Sequence, residues 1–309
     1  MLGPTFPNRA YAYAATSFGH LDTAEQFPPP GGYKPITGTM LDLLDEHGVF
    51  WVNYVSDAPS TGSFRPFVSE HLRPITQLFS DAATGQLPAV AFVDPAFGFG
   101  GVEFDEHPPS NIRAGQFFVS NVVRALRISP NWKDSIIFIT YDEHGGFYDH
   151  VRPPRARQGQ ARTPDGIFPG QCADASNPVP GLGANCAVSQ VDAASLCPAF
   201  TPTGPYPAAC PAFDQYGFRV PFIAVSPFAK SQYVSHTVGD HTSMLALIEK
   251  RFLSGRNGDD DGERPHLTAR DLHASTLEDM FDFNHAPSLD ARVPTAPPPT
   301  PTDPGCVTP

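Results

Sequence analysis

The stretch SIIFITYDEHGGFYDHVRPP, residues 135–154, decides how the chain is read. Ile136, Ile137, Phe138 and Ile139 form a short apolar, largely β-branched run, the pattern of a strand buried on both faces of a sheet. The run ends at charge. Tyr141, Asp142, Glu143 and His144 follow at once, and Gly145-Gly146 lets the backbone turn sharply and come close to a ligand. In open α/β sheets, ligands bind in the crevice outside the carboxyl ends of the strands. Two adjacent carboxylates there suit a hard or borderline divalent cation, whose charge oxygen donors neutralise. His144, Asp149 and His150 add proton-transfer or ligand groups within a few residues. The competing reading is a solvated strand end whose acids cap the next element; the Gly-Gly turn and the flanking histidines favour the site.

Working outward, the chain alternates helix and strand. Residues 111–126 carry Ile112, Phe118, Val119, Val122, Val123 and Leu126 at helical spacing, with Ser110 as the expected cap, and lead straight into the strand above. Residues 88–93 repeat the buried-strand pattern and stop at Asp94-Pro95. Residues 67–79 read as a helix that Pro74 kinks or truly begins. Residues 49–55 read as a strand and 38–48 as a short amphipathic helix ending at Gly48. At the front, 3–9 is a Pro-rich loop and 10–17 a short apolar segment ending in the hydroxyls of Thr16 and Ser17, which serve a turn or, beside a cation, a nucleophile. Downstream, 219–226 returns to a buried strand, and 242–252 is a helix entered through Asp240 and His241, groups suited either to capping it or to orienting the site. The expected fold is therefore α/β, with a mainly parallel central sheet and helices on both faces.

Residues 155–214 break this rhythm. They are rich in Pro, Gly and Ala and hold Cys172, Cys186, Cys197 and Cys210, which reads as a disulfide-stapled insertion of unassigned pairing in a secreted or periplasmic protein. The acidic loop at 257–263 lacks a full calcium-loop pattern, and the Pro/Thr-rich tail from 287, with Cys306, is expected to be disordered. Domain organisation is thus a catalytic unit over 1–286 and a tail over 287–309. With 36 prolines and 26 glycines, much of the chain must be loop. A formal charge of -12 disfavours nucleic acid as a partner, since binding it requires Lys and Arg to neutralise phosphates. No apolar run approaches the roughly 20 residues that span a bilayer, so stable membrane insertion is not expected. Nor does the sequence contain a P-loop or a G-x-S-x-G elbow.

The motif Y-D-E-H-G-G-F-Y-D-H-V-x-P-P after an apolar strand resembles that of the bacterial phosphoesterases, the family of phosphatidylcholine-type phospholipases C and secreted acid phosphatases. GPTFPNR (3–9), LPAVAFVDP (87–95), EHPPSNIRAG (106–115), RVPFIAVSPFAK (219–230) and VSHTVGDHTSMLALIEKRF (234–252) resemble it in the same order. The resemblance implies a fold like that of the alkaline phosphatase superfamily and metal-assisted phosphoester hydrolysis. It assigns Asp142 and Glu143 to a divalent metal, and Thr16 beyond P-N-R to the nucleophile, with Ser17 as the fallback. His107 of H-P-P and His144 become phosphate-binding or proton-donating groups, and Asn8, Asp149 and His150 substrate-binding ones. It ranks phospholipase C-type diester cleavage first and phosphomonoester hydrolysis second; oligomeric state is left open. Relatives also carry an upstream E-N-R-S-F segment whose Glu and Asn belong to the metal site. This sequence begins at Met1-Leu2-Gly3-Pro4 without that segment and without a signal-peptide pattern. The expectation is a shortened enzyme or, from another class, a non-catalytic remnant with an incomplete site.

Overall fold

The computed structural model describes residues 3–17, 23, 37–64, 69–156, 163–167, 199, 212–255, 264–290, 292 and 296–299. All five cysteines and the 257–263 loop lie outside the described residues, and so does the expected disulfide framework.

The centre is a parallel sheet in the order β2-β1-β3: β1 is Trp51–Val55, β2 is Leu72–Pro74 and β3 is Val90–Asp94. Flanked on both sides, β1 buries Trp51, Val52, Asn53 and Tyr54, and it pairs with β3 from Trp51↔Val90 to Val55↔Asp94. Its side chains alternate between two cores. One joins Trp51 to Ala10 of α1 (Thr5–Ala14), to Met40, Leu41 and Leu44 of α2 (Met40–Glu46), and to Leu245 of α5 (Thr242–Ile248). The other joins Val52 and Tyr54 to Leu78 of α3 (Ile75–Thr84) and Val122 of α4 (Ile112–Arg127). Helices thus cover both faces of the parallel sheet, as the αβ alternation predicts.

Several local readings need correction. Residues 3–9 are not loop: α1 starts at Thr5, and Pro7 sits in its first turn, where the N–H it lacks would have had no intrahelical partner. Pro74 marks the start of α3, after the short β2 that sequence reading missed. The cap of α4 is Asn111, which accepts from the Arg113 N–H at 3.0 Å, rather than Ser110, and Ile112 is exposed. The larger correction concerns β4 (Ile137–Thr140), whose residues are only half-buried. It pairs antiparallel with β5 (Phe222–Val225), in a two-stranded sheet separate from β2-β1-β3 among the described residues. An apolar run tells how buried a strand can be, not which partner it finds. Part of the tail is also placed, with the Ala296 N–H donating to Ser120 Oγ on α4 at 3.0 Å. Among the described residues no helix is long and apolar enough to cross a membrane.

After α5 the helix widens into a π-turn, Glu249–Leu253, with Glu249 fully buried and accepting from Arg264 Nε at 3.0 Å. Burial, then Asp271, pushes its carboxyl up to about 10, with Arg264 opposing. A folded pKa above the unfolded one means that folding takes up a proton. The stability this adds is full below the unfolded value and is lost as pH rises toward the folded one. Glu249→Gln keeps an acceptor for Arg264 but removes the titration. Melting temperature should therefore fall less steeply in the variant than in the parent between about pH 5 and 9. Parallel curves in a fluorimetric melt would count against the assignment.

Candidate active site

The carboxyl end of the parallel sheet is where charge collects. Asp94 closes β3 at 7% exposure and accepts from Asn53 Nδ2 of β1 and from the Ser60 N–H, each at 2.8 Å. Burial pushes its carboxyl above the usual range, and Ser60, Asn53 and nearby Arg9 pull it back. Ser60 Oγ shares a 2.6 Å hydrogen bond with Tyr13 of α1. One turn earlier on the same helix, Arg9 donates from Nε to Asp142 Oδ2 at 2.8 Å and lies over the Phe97 ring at 4.9 Å. Burial works against the guanidinium charge, but Asp142 and Asp94 outweigh it and raise its pKa. Phe97 is itself held by its N–H on the Asp57 carboxylate at 2.9 Å. Thus P-N-R at the front of the chain meets Y-D-E-H at the end of β4.

The Y-D-E-H-G-G turn is built largely from its own groups. Gly145 and Gly146 take φ of +62° and +78°, which side chains rarely adopt. Glu143 Oε2 accepts from the Gly145 N–H at 2.8 Å, and His144 Nδ1 bonds the Phe147 carbonyl at 3.0 Å. A Cβ on Gly145 would lie 3.4 Å from Pro108 Cγ, so the H-P-P loop abuts this turn. Tyr141 strengthens the junction by donating its hydroxyl to Glu106. On α4, a Cβ at Gly115 would fall 2.1 Å from Glu106 Cγ, so only glycine fits there. Gly115→Ala should therefore displace Glu106 from Tyr141 and cost about 1–3 kcal/mol, as overpacking does; an unchanged denaturant midpoint would refute this.

The expected site residues fall into three places. Asp142, Glu143, His144 and exposed His107 share the joined loops at the strand end. Asp149 and His150 point their chemistry elsewhere: Asp149 binds Arg219 through Nε and Nη2, each at 2.9 Å, which holds its carboxyl well below the usual range, and His150 is largely exposed. That pair ties the loop after β4 to the approach to β5. Asn8, buried on α1, exchanges hydrogen bonds with the Gly3 backbone. Thr16 and Ser17 follow α1, buried at 1% and 2% exposure. Thr16 Oγ1 donates to Asp165 Oδ2 at 2.8 Å, and Asp165 in turn pairs with Arg270.

Sequence reading missed Arg9, Asp94, Asp165 and Arg270. Arg9 and Asp94 lie inside stretches it singled out, P-N-R and the strand-end Asp-Pro. Asp165 carries no local signal, being one acid in an irregular segment. His241 enters α5 buried beside Asp142, with Nε2 lacking a partner among the described residues. Burial lowers its pKa to about 4, against the pull of Asp240 and Asp142, so the ring is neutral at neutral pH. Asp240 stands one residue ahead of the cap position, which His241 occupies, and accepts from the Thr242 N–H at 2.8 Å.

Asp142 and Glu143 do not by themselves fit a resident divalent ion. Arg9 already neutralises Asp142, Glu143 caps Gly145, and among the described residues no three His, Cys, Asp or Glu side chains are placed to share an ion. What these residues offer is acid–base and electrostatic chemistry.

The chain is similar to known proteins over most of its length. Over 308 residues the chain is 31% identical to "Non-specific phospholipase C6" of Arabidopsis thaliana, covering 93% of this chain and 49% of that protein. "Non-specific phospholipase C1" of the same plant is 30% identical over 309 residues, 93% and 47% of the two chains. "Non-hemolytic phospholipase C" of Burkholderia pseudomallei (strain K96243) is 32% identical over 176 residues, 57% of this chain and 20% of that protein. The chain spans about half the length of the plant relatives. The model of the Phosphoesterase family matches residues 1–253, which hold every element from α1 through the π-turn and both partners of the Arg9–Asp142 link, and the chain belongs to that family.

Proposed function

We propose that the chain hydrolyses phosphoesters, favouring phospholipase C-type diesters, with the phosphoryl group received at the carboxyl ends of β1 and β3. The observation that carries this reading is the Arg9–Asp142 contact at 2.8 Å, which brings together residues 133 positions apart, one from each of the two most distinctive motifs. Arg9, paired through Nε with Asp142, offsets part of the acidic charge that a phosphate would meet in the crevice. Thr16 attacks phosphorus, the bond to the leaving oxygen breaks, and water later frees the phosphoryl group from Thr16. His107 and His144, on the abutting loops, take the roles of binding the phosphate or handing the leaving oxygen a proton. Thr16 is 1% exposed, so this reading requires its surroundings to yield before substrate reaches it. Exposed aromatic rings on the crevice loops, Phe99, Phe147 and Tyr148, suit a lipid or a quaternary ammonium headgroup. The relatives' names, all phospholipases C, support the diester preference.

In this reading 1–286 is one catalytic unit with 155–214 inserted, and the protein works outside the cytoplasm. A divalent ion would supply Lewis-acid chemistry, but it needs donors beyond Asp142 and Glu143. The test is hydrolysis of p-nitrophenyl phosphorylcholine beside p-nitrophenyl phosphate. The parent chain should prefer the diester, and Asp142→Asn should lose about 10²-fold or more in kcat/KM. A preference for the monoester would reassign the activity to a phosphatase. A folded parent inert toward both substrates would mean a non-catalytic chain.

A further inference from the structure

The hydroxyl assigned to attack is held by a carboxylate that lies outside the stretches quoted above for the family resemblance. Thr16 Oγ1 lies 2.8 Å from Asp165 Oδ2, and the other oxygen, Oδ1, takes Nε of Arg270. Asp165 is 6% exposed and Arg270 8%. A hydroxyl has one proton to give. That proton points at Asp165, the direction in which it would leave as the oxygen attacks.

Both ends of this hydrogen bond are fixed by one segment. The Ala269 N–H donates to the Asp165 carbonyl at 3.0 Å, at the start of α6 (Ala269–His273), and Thr268 Oγ1 shares its one proton between the Ala15 carbonyl at 3.1 Å and Asp271 Oδ1 at 3.0 Å. Residues 268 and 269 therefore position the base from one side and the residue before the nucleophile from the other. Ala15 itself adopts a left-handed φ of +57°, turning the chain out of α1 just ahead of Thr16. The Arg270 guanidinium is braced in turn: Nη2 donates to the Phe213 carbonyl at 2.9 Å, and the group stacks over the Tyr11 ring at 4.9 Å, with Asp240 at 4.0 Å. Its charge keeps a buried carboxylate available as an acceptor. Burial opposes that and raises the affinity of Asp165 for a proton, which is what a proton acceptor needs.

Resting on the reading of Thr16 as nucleophile, we infer that Asp165 is its general base, brought into the site by the 155–214 excursion. In the first step the Thr16 Oγ1 electron pair forms the bond to phosphorus while the Oγ1 proton moves to Asp165 Oδ2. The bond from phosphorus to the leaving oxygen breaks, and that oxygen keeps the pair and takes a proton from one histidine, His107 or His144. In the second step the water oxygen bonds to phosphorus and gives a proton back to that histidine. Thr16 Oγ1 departs with its pair and recovers its proton from Asp165, so the enzyme is restored.

The test is steady-state hydrolysis of p-nitrophenyl phosphorylcholine by the full chain and by Asp165→Asn, Thr16→Ala and the double variant, with the folded fraction measured by circular dichroism. The neutral amide should cut kcat per folded molecule by about 10²–10⁴-fold with KM nearly unchanged. The double variant should be no worse than Thr16→Ala alone, because the two residues act as one unit. A kcat within twofold of the parent, or losses that multiply, would make the network a clamp of the fold and overturn the proposal. Should Asp165→Asn fail to fold, Asp165→Glu keeps the charge against Arg270 while displacing the oxygen from Thr16; a parental kcat there overturns it equally. Turnover retained by Thr16→Ala, or none by the parent, removes the nucleophile reading and Asp165 with it. Thr16→Ala inactive beside a fully active Asp165→Asn removes Asp165 alone.

Discussion

Arg270→Ala is expected to lower folding stability by about 3–5 kcal/mol, the penalty for leaving a buried charge without its partner. The side chains of Arg270 and Asp165 are 7% and 8% exposed, so solvent cannot take over when the guanidinium goes. Asp240, 4.0 Å from Arg270, loses its counter-charge as well. For a chain of this size the melting temperature should fall by on the order of 10 °C. The loss should also depend on pH in a definite direction. Burial already lifts the Asp165 carboxyl above its ordinary range and Arg270 pulls it down, so removing the arginine lifts it further. A carboxyl with a raised folded pKa favours the folded state at low pH and loses that contribution as pH climbs through the folded value. The gap between variant and parent should therefore narrow in acid. Urea unfolding at about pH 5 and 8 reads this out. Arg270→Met, which preserves packing over Tyr11, should be destabilised nearly as much; if it were not, packing rather than charge would be the cause.

Trp51→Ala should cost about as much, roughly 3–5 kcal/mol, by a different route. The indole is 2% exposed at the start of the central strand and stacks on His71 at 4.0 Å between centroids, with planes 2° apart. It meets Phe92 edge-on at 6.1 Å and donates from Nε1 to Asp45 at 2.9 Å. Alanine leaves a cavity where β1, β3, α1 and α2 converge and removes one donor from Asp45. Trp51→Phe keeps an aromatic face toward His71 and forfeits the Asp45 bond, so its cost should be nearer 1 kcal/mol. Denaturation followed by far-ultraviolet circular dichroism separates the two. Equal midpoints for the two variants would place the energy in the hydrogen bond and not in the ring.

Periodicity made much of this fold legible. The strands at β1 and β3 and the helices at α2, α4 and α5 were readable because each buries a face whose spacing betrays it. The first helix was hidden by Pro7, a residue that breaks helices everywhere except in their opening turn. The partner of β4 was hidden because register with β5, from Ile137↔Val225 to Thr140↔Phe222, crosses a stretch without periodicity. The candidate site divides in the same way. Asp142 and the double-glycine turn stand where an apolar run meets charge, so local pattern finds them. The partners of Thr16 and Asp142 are far along the chain: Thr16 meets Asp165 over 149 residues, and Asp165 meets Arg270 over 105. No short-range pattern encodes such pairings; the fold alone makes them.

The grip of residues 268–270 on Ala15, Asp165 and, through Asp165, Thr16 has a consequence for synthesis. A nascent chain presents Thr16 early, but its holder is complete only after Arg270 leaves the ribosome, roughly tens of seconds later at 5–20 residues per second. Asp165 is made 105 residues earlier, but until then it lacks the arginine that pairs with it. With Thr16 as the proposed nucleophile, a growing polypeptide would acquire that reactivity only once residues 268–270 have been made and docked.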